Sequence, residues 1–256
     1  MKIATFNANS IRARLGIVLD WVSENRPDVL AIQETKVTDD DFPLAAFQEA
    51  GLNAVFHGQK SYNGVALISP HPIEEAQFGF GDPLWPDDCR ILTAAVKGVP
   101  IVNTYVPNGT EVGTDKFDYK LRWFERFDAF LSERYGKSEF VWLGDINVAP
   151  TDDDVFDPNK NRGKVCFHPD EIARLTKIKE RGLIDTFRKF KQGSGHYSYW
   201  EFFVTSAFEK NLGWRIDHIY APESLASKCV SCVIDKAPRA KEKPSDHTFV
   251  VAEFKV

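Results

Sequence analysis

At five points in this chain a largely apolar segment adjoins a carboxylate or an amide. KIATFN ends at Asn7, DVLAIQ leads to Glu34, and FVWLGD leads to Asp145 with Asn147 two residues on. RID ends at Asp217, and the last apolar run follows Ser245, Asp246 and His247. Residues two apart on an extended segment project from one face, so Asp145 and Asn147 share a direction. Carboxylates gathered at neighbouring strand ends repel one another and are costly to bury alone. A histidine, a shared proton or a divalent cation would let them coexist. A hard cation such as Mg²⁺ takes one or two carboxylates and keeps waters that a substrate phosphate can replace.

Taken singly, each of these residues has a plainer reading. A strand-end aspartate is commonly a turn former or a helix cap. Glu34 could pair with Lys36 at the surface, and His247 beside Asp246 could be a solvated pair. Their recurrence in one chain is what argues for a shared site. The cysteines carry no such argument. Cys229 and Cys232 have C-x-x-C spacing, but no second pair or nearby histidine completes a zinc site, and CVSCVI reads as a buried strand.

The elements that must position these residues follow from periodicity. Residues 2–7 read as a strand. Ile11, Leu15, Val18, Leu19 and Val22 recur at helical spacing up to Arg26, where Pro27 discourages continuation. The run at 28–32 reads as a buried strand, 43–50 as a short helix closed by Gly51, and 53–56 with 64–69 as a hairpin. Strands are expected at 90–96 and 101–106, then a long helix over 116–135 with an apolar stripe from Phe117 to Leu131. The spacing further predicts strands at 140–143, 215–221, 229–234 and 248–254, and a helix over 169–181. Residues 150–168 form a long polar loop of the kind that often carries function, and 236–245 a basic loop. No linker or repeat divides the chain, so one domain over 1–256 is expected. Strands that come in consecutive pairs favour mixed, mostly antiparallel sheets packed face to face with helices outside: an α/β sandwich.

Composition narrows the classes. The chain has 256 residues, 43% of them hydrophobic and 27% charged, which is ordinary globular make-up. No apolar run reaches the ~20 residues that span a bilayer. The N-terminus turns polar by Asn7 with no stretch for a signal peptide, so a cytoplasmic protein is expected. The net charge of −5 argues against a protein that coats nucleic acid along its whole length. It leaves room for a carboxylate cluster whose bound cation makes a local positive site.

The residues carry a resemblance. The chain resembles the exonuclease III family of AP endonucleases, of bacterial type, within the endonuclease/exonuclease/phosphatase superfamily. The likeness runs through FNANSIRARL (6–15), LAIQETKV (30–37), FHGQKSYNGVALIS (56–69), YVPNG (105–109) and GDINVAPTDDD (144–154). It continues in GLIDTFR (182–188), YSYW (197–200), GWRIDHI (213–219) and KPSDH (243–247), which is essentially the whole chain in order. QETK, GDxN and SDH mark the superfamily; HGQK, GxRID and YSYW narrow it to the exonuclease III type.

The resemblance implies a four-layered sandwich with two β-sheets flanked by helices, DNase I-like, and a site at one sheet edge. It implies Glu34 as the principal Mg²⁺ ligand, with Asn7 and Asp246 close to the metal and Mn²⁺ as a substitute. Asp145 would align or deprotonate the attacking water, Asn147 would orient it or the phosphate, Asp217 would hold His247, and Tyr105 would contact the scissile phosphate. Asn9 stands where some relatives carry an aspartate ligand. Tyr199, Trp214 and Ile216 match an apolar pocket for an extrahelical abasic sugar. Asn108 and the loop residues Lys160, Arg162 and Lys164 are DNA-binding candidates, as are Arg239, Lys241 and Lys243. The implied activity is Mg²⁺-dependent hydrolysis of phosphodiesters 5′ to abasic sites, with 3′–5′ exonuclease and 3′-phosphatase activity, by a monomer acting on double-stranded DNA. The alternatives are a superfamily enzyme of another kind (a nonspecific DNase or a phospholipid or inositol phosphatase) and a catalytically weak DNA-binding relative.

Overall fold

The computed structural model describes residues 1–86 and 88–256. In chain order the elements are β1 (Lys2–Asn7), α1 (Ile11–Asn25), β2 (Val29–Gln33), α2 (Leu44–Glu49), β3 (Asn53–His57), β4 (Val65–Ser69), β5 (Ile73–Phe78), β6 (Ile91–Val96) and β7 (Val99–Tyr105). They continue as α3 (Asp115–Tyr135), β8 (Val141–Asp145), α4 (Pro158–Asn161), α5 (Pro169–Lys179), β9 (Leu183–Asp185), β10 (Asp217–Pro222), α6 (Glu223–Ala226), β11 (Cys229–Asp235) and β12 (Phe249–Phe254).

The strands form two six-stranded sheets, ordered β11-β12-β1-β2-β4-β3 and β5-β6-β7-β8-β10-β9. Each sheet has one parallel pair at its centre, β1 with β2 and β7 with β8, and antiparallel pairs elsewhere. A parallel pair needs a crossover, and α1 and α3 are those crossovers. Strand alternation then sorts the side chains. Ile3, Val29, Leu67, Leu143 and Val250 point into the core between the sheets. Phe6, Ile32, Ile68 and Phe249 face α1 and α2 on one outer side, while Val102 and Trp142 face α3 and α5 on the other. The result is helix, sheet, sheet, helix, the expected four-layered sandwich.

A polar cluster of Thr5, Gln33 and Asn103 interrupts the apolar core between the sheets. Asn103 of β7 is fully buried, donates to the carbonyls of Ile32 (3.1 Å) and Ala66 (3.0 Å), and accepts from Gln33 Nε2 at 2.7 Å. Its hydrogen bonds tie the two sheets together just beneath their site-bearing edge.

Four elements lie outside the sequence expectations: β5, α4, β9 and α6. β5 is mostly exposed and carries an irregular register, β9 has three residues, and α6 has four. The strand expected from 215 begins at Asp217, and just before it Trp214 forms isolated bridges to Val155 and Tyr199. The loop expected over 150–168 holds α4 and a 3-10 turn at Asp152–Asp154, and the basic loop opens with a 3-10 turn at Ala237–Ala240. The helix expected to reach 181 ends at Lys179.

Candidate active site

The polar strand ends meet on one edge, where the two sheets face each other. Asn7, at the end of β1, donates from Nδ2 to Glu34 Oε1 at 2.7 Å and to Asp145 Oδ2 at 2.9 Å, and so joins one sheet to the other. Glu34 sits one residue past β2 with φ of +50°, a conformation uncommon outside glycine. Its other oxygen meets Lys36 Nζ at 2.7 Å, and Tyr105 stands beside the carboxylate. Tyr105 and Asp145 are register partners at the ends of β7 and β8, and Asp217 of β10 lies opposite Asp145. Asn147, at φ +52°, turns back so that its N–H donates to Asp145 Oδ1 at 3.0 Å. Its side chain donates to Val106 O at 2.9 Å and accepts from Asn108 Nδ2 at 3.0 Å. Non-glycine residues persist in the left-handed region where the surrounding structure holds them, as it holds Glu34 and Asn147 here.

Gly144 explains the GD pair. At φ +135° a Cβ there would overlap the carbonyl of Thr104 on the parallel neighbour β7. Only glycine lets β8 lie close enough for Asp145 to reach the sheet edge.

His247, just before β12, is nearly buried. Its Nδ1 lies 2.9 and 3.1 Å from the two oxygens of Asp217, and its Nε2 is 3.8 Å from Asp145 Oδ2. Ser198 Oγ donates to Asp217 at 2.6 Å and fixes that carboxylate. Burial alone would depress the imidazole pKa, but the charges of Asp217 and Asp145 outweigh it and push the pKa upward. Burial raises the Asp145 carboxyl, a rise opposed by His247 and reinforced by Asp217 and Glu34. Burial beside Glu34 and Asp145 likewise keeps the Tyr105 phenol protonated. The site therefore holds a cationic imidazole and a basic carboxylate side by side.

These groups open into a cavity of about 370 Å³. Glu34, Tyr105, Asp145, Asn147, Asp246 and His247 form its polar part; Tyr199, Trp214 and Ile216 form an apolar wall, and Asn108 stands at the rim. Tyr199 bridges both Trp214 and His247, with its ring 4.8 Å from the imidazole. Phe167 meets Trp214 edge-on at 6.5 Å. Asp246 accepts from Asn9 Nδ2 at 2.9 Å, while Asn9 Oδ1 accepts from Lys36 at 2.6 Å.

Not every candidate is in the cavity. Asn7 and Asp217 stand behind its lining. Lys160, Arg162 and Lys164 lie apart from it: Lys160 pairs with Asp157 at 3.1 Å, Arg162 with Asp152 at 2.7 Å, and Lys164 donates to Asn161 at 3.2 Å. Arg239 packs over Phe202 and Phe208, and Lys241 pairs with Asp20. The lining also includes Val165 and Cys166, which sequence reasoning passed over because an apolar pair in a polar loop resembles an anchor. Burial pushes the Cys166 thiol up to about 12, so it stays protonated.

The donor set fits a hard divalent cation. Glu34, Asp145 and His247 each offer a ligand atom within 4.8 Å of the others. The two carboxylates suit such a cation, whereas His247 Nδ1 is committed to Asp217.

The chain matches the endonuclease/exonuclease/phosphatase family over residues 4–247. It is 33% identical to exodeoxyribonuclease III of Haemophilus influenzae over the full length of both proteins. An AP endonuclease from Archaeoglobus fulgidus superimposes with a TM-score of 0.95 at 43% identity, covering all of both chains. The 3′–5′ exonuclease NExo of Neisseria meningitidis does so with a TM-score of 0.95 at 36% identity, again over both whole chains. A further structure of NExo, there described as a 3′ phosphatase, is bound to a product DNA hairpin.

Proposed function

The chain belongs to the endonuclease/exonuclease/phosphatase family, and from that premise we propose that it is a DNA-repair hydrolase of the exonuclease III type. It cuts the phosphodiester 5′ to an abasic site and trims or dephosphorylates 3′ ends of double-stranded DNA. The observation that carries this reading is the cavity itself, with the His247 imidazole beside the Glu34 and Asp145 carboxylates on one side and an apolar wall on the other.

The residues divide the work. Asp145, held by Asn7 and the Asn147 N–H, takes a proton from the water whose oxygen attacks phosphorus. The P–O3′ bond breaks and the leaving oxygen takes a proton from solvent water, giving a 3′-hydroxyl and a 5′-phosphate. His247, kept protonated by Asp217, neutralises a nonbridging oxygen. Tyr105, Asn108 and Asn147 present donors that orient the phosphate. Glu34, with Asn7 and Asp246 close by, would hold Mg²⁺, or Mn²⁺ in its place. The bound ion would neutralise charge on the phosphate and the leaving oxygen. Tyr199, Trp214 and Ile216 would receive a bare deoxyribose, whose extrusion breaks no base pair.

Lys160, Arg162 and Lys164 would follow the duplex backbone beyond the cavity. One chain builds the whole cavity, which supports a monomer and a single domain. No described helix is long and apolar enough to cross a membrane, and a DNA substrate supports work in the cytoplasm.

The test is incubation with an abasic duplex, a recessed intact duplex and a 3′-phosphorylated duplex, each with Mg²⁺ and with EDTA. Metal-dependent incision of the first, with processing of the other two, is expected. Activity that survives EDTA would defeat the metal assignment. Hydrolysis of a phospholipid or inositol phosphate with all three duplexes untouched would move the enzyme to another branch of the family.

A further inference from the structure

Beneath the cavity floor lies an ion pair with no exposure at all. Lys120 projects from α3, Glu171 from α5, and both side chains are 0% exposed. The pair closes directly, Lys120 Nζ on Glu171 Oε1. The same ammonium donates to the main-chain carbonyls of Asn147, at 2.7 Å, and of Asn108, at 3.1 Å. Glu171 in turn accepts from the N–H groups of Cys166, at 3.2 Å, and His168, at 3.0 Å.

Ammonium and carboxylate together therefore tie down three backbone segments, and all three line the cavity: Asn108, the Asp145–Asn147 turn and Cys166. The path to the chemistry is short. Lys120 holds the carbonyl of Asn147, and the N–H of that residue holds Asp145 Oδ1 at 3.0 Å. Asn147 occupies a left-handed conformation that needs outside support.

A buried pair is a poor way to gain stability, because desolvating two charges offsets most of their attraction. Apolar packing at the interface of α3 and α5 would serve the fold as well. Two carbonyls facing inward, by contrast, require a donor that reaches both, and an ammonium with three N–H groups does so. We infer that Lys120, locked by Glu171, is a positioning residue for this reaction, setting the Asp145–Asn147 turn and the Asn108 amide against the substrate phosphate. The inference rests on the hydrolase reading of the cavity.

The experiment separates positioning from folding. Lys120→Met and Glu171→Gln each leave one buried charge unpaired and should lower the melting temperature. The double variant Lys120→Met/Glu171→Gln removes both charges at similar volume and should regain most of that loss. Its kcat should nevertheless stay roughly 10²-fold below wild type with KM little changed, since displaced catalytic groups cost rate more than binding. Kinetics are run well below the melting midpoint of each protein. Side-chain amide resonances of Asn108 and Asn147, read by NMR without substrate, should shift and broaden in the double variant. They report the displacement whichever substrate the enzyme takes, so an error about the substrate would show in the wild-type assays alone. A double variant with restored stability, full kcat and unmoved amide resonances would overturn the inference and leave the pair a purely structural one. If the double variant does not fold, the Glu171→Gln protein decides. It keeps the ammonium but loosens it, so shifted amides support the inference and unmoved ones contradict it.

Discussion

At the scale of the residue, the Asp217–His247 pair and the apolar wall make separate demands. Asp217 lies 2.9 Å from His247 Nδ1 in a buried setting, and it helps drive the imidazole pKa upward. A histidine whose pKa is raised keeps its charge to higher pH, and the cationic form is lost only as pH passes that value. Asp217→Asn removes the charge, so the alkaline limb of the pH–rate profile should move down by ~1 unit or more. A profile that stays in place, in a variant checked for folding, would uncouple the two residues. The wall makes a different claim. Trp214 is partly exposed to the cavity and braced by Phe167. Trp214→Ala should cut the ratio of cleavage rates on abasic and matched intact duplexes on the order of 10-fold, the worth of an apolar pocket contact. An unaltered ratio would return Trp214 to a packing role.

At the scale of the element, the strands carry the site and the loops brace it from outside. Arg215, fully buried just before β10, donates to Asp154 at 2.6 Å and Asp185 at 2.8 Å. Its remaining nitrogen meets His218, which burial and this same guanidinium push down to about 3, so the imidazole is neutral and its Nε2–H donates to Val148 O. Burial disfavours the charged form of Asp154, yet Arg215 and then Arg188 outweigh it and hold the carboxyl at about 2 against an ordinary 3.8. A carboxyl held low stabilises the fold above its unfolded-state pKa, and that contribution disappears as pH falls through the folded value. About 2 kcal/mol should thus be lost between about pH 4 and pH 2. Urea unfolding across that window should show a shallower pH slope for Asp154→Asn than for wild type; equal slopes would contradict the assignment.

The strand-borne part of the site was legible in the sequence because an apolar run that turns polar announces a strand end, as at Asn7, Glu34 and Asp145. The bracing was not legible. Lys120 sits in a helix among other charged residues, and nothing local distinguishes it from the exposed Lys116 one turn earlier. Glu171 reads as a first-turn helix acid, and its partner lies 51 positions upstream. β5 alternates weakly and packs little, so periodicity missed it.

At the scale of the whole molecule, two sheets of matching pairing pattern pack face to face, and the strand ends of each supply half of the chemistry. Asn7 and Glu34 come from one, Tyr105, Asp145 and Asp217 from the other, with Asn103 stitching the layers below. A net charge of −5 suits an enzyme that gathers negative groups to hold a cation and meets DNA over a limited surface. The central claim is that this junction hydrolyses the phosphodiester 5′ to an abasic site with Asp145 as its base. The most direct measurement uses an end-labelled duplex bearing one abasic site, cut by wild type and by Asp145→Asn, in Mg²⁺ and in EDTA. Wild type should nick the 5′ side and leave a 3′-hydroxyl, EDTA should abolish the nick, and the variant should cut ~10²–10⁴-fold more slowly. Cleavage on the 3′ side by elimination, or a variant as fast as wild type, would contradict that claim.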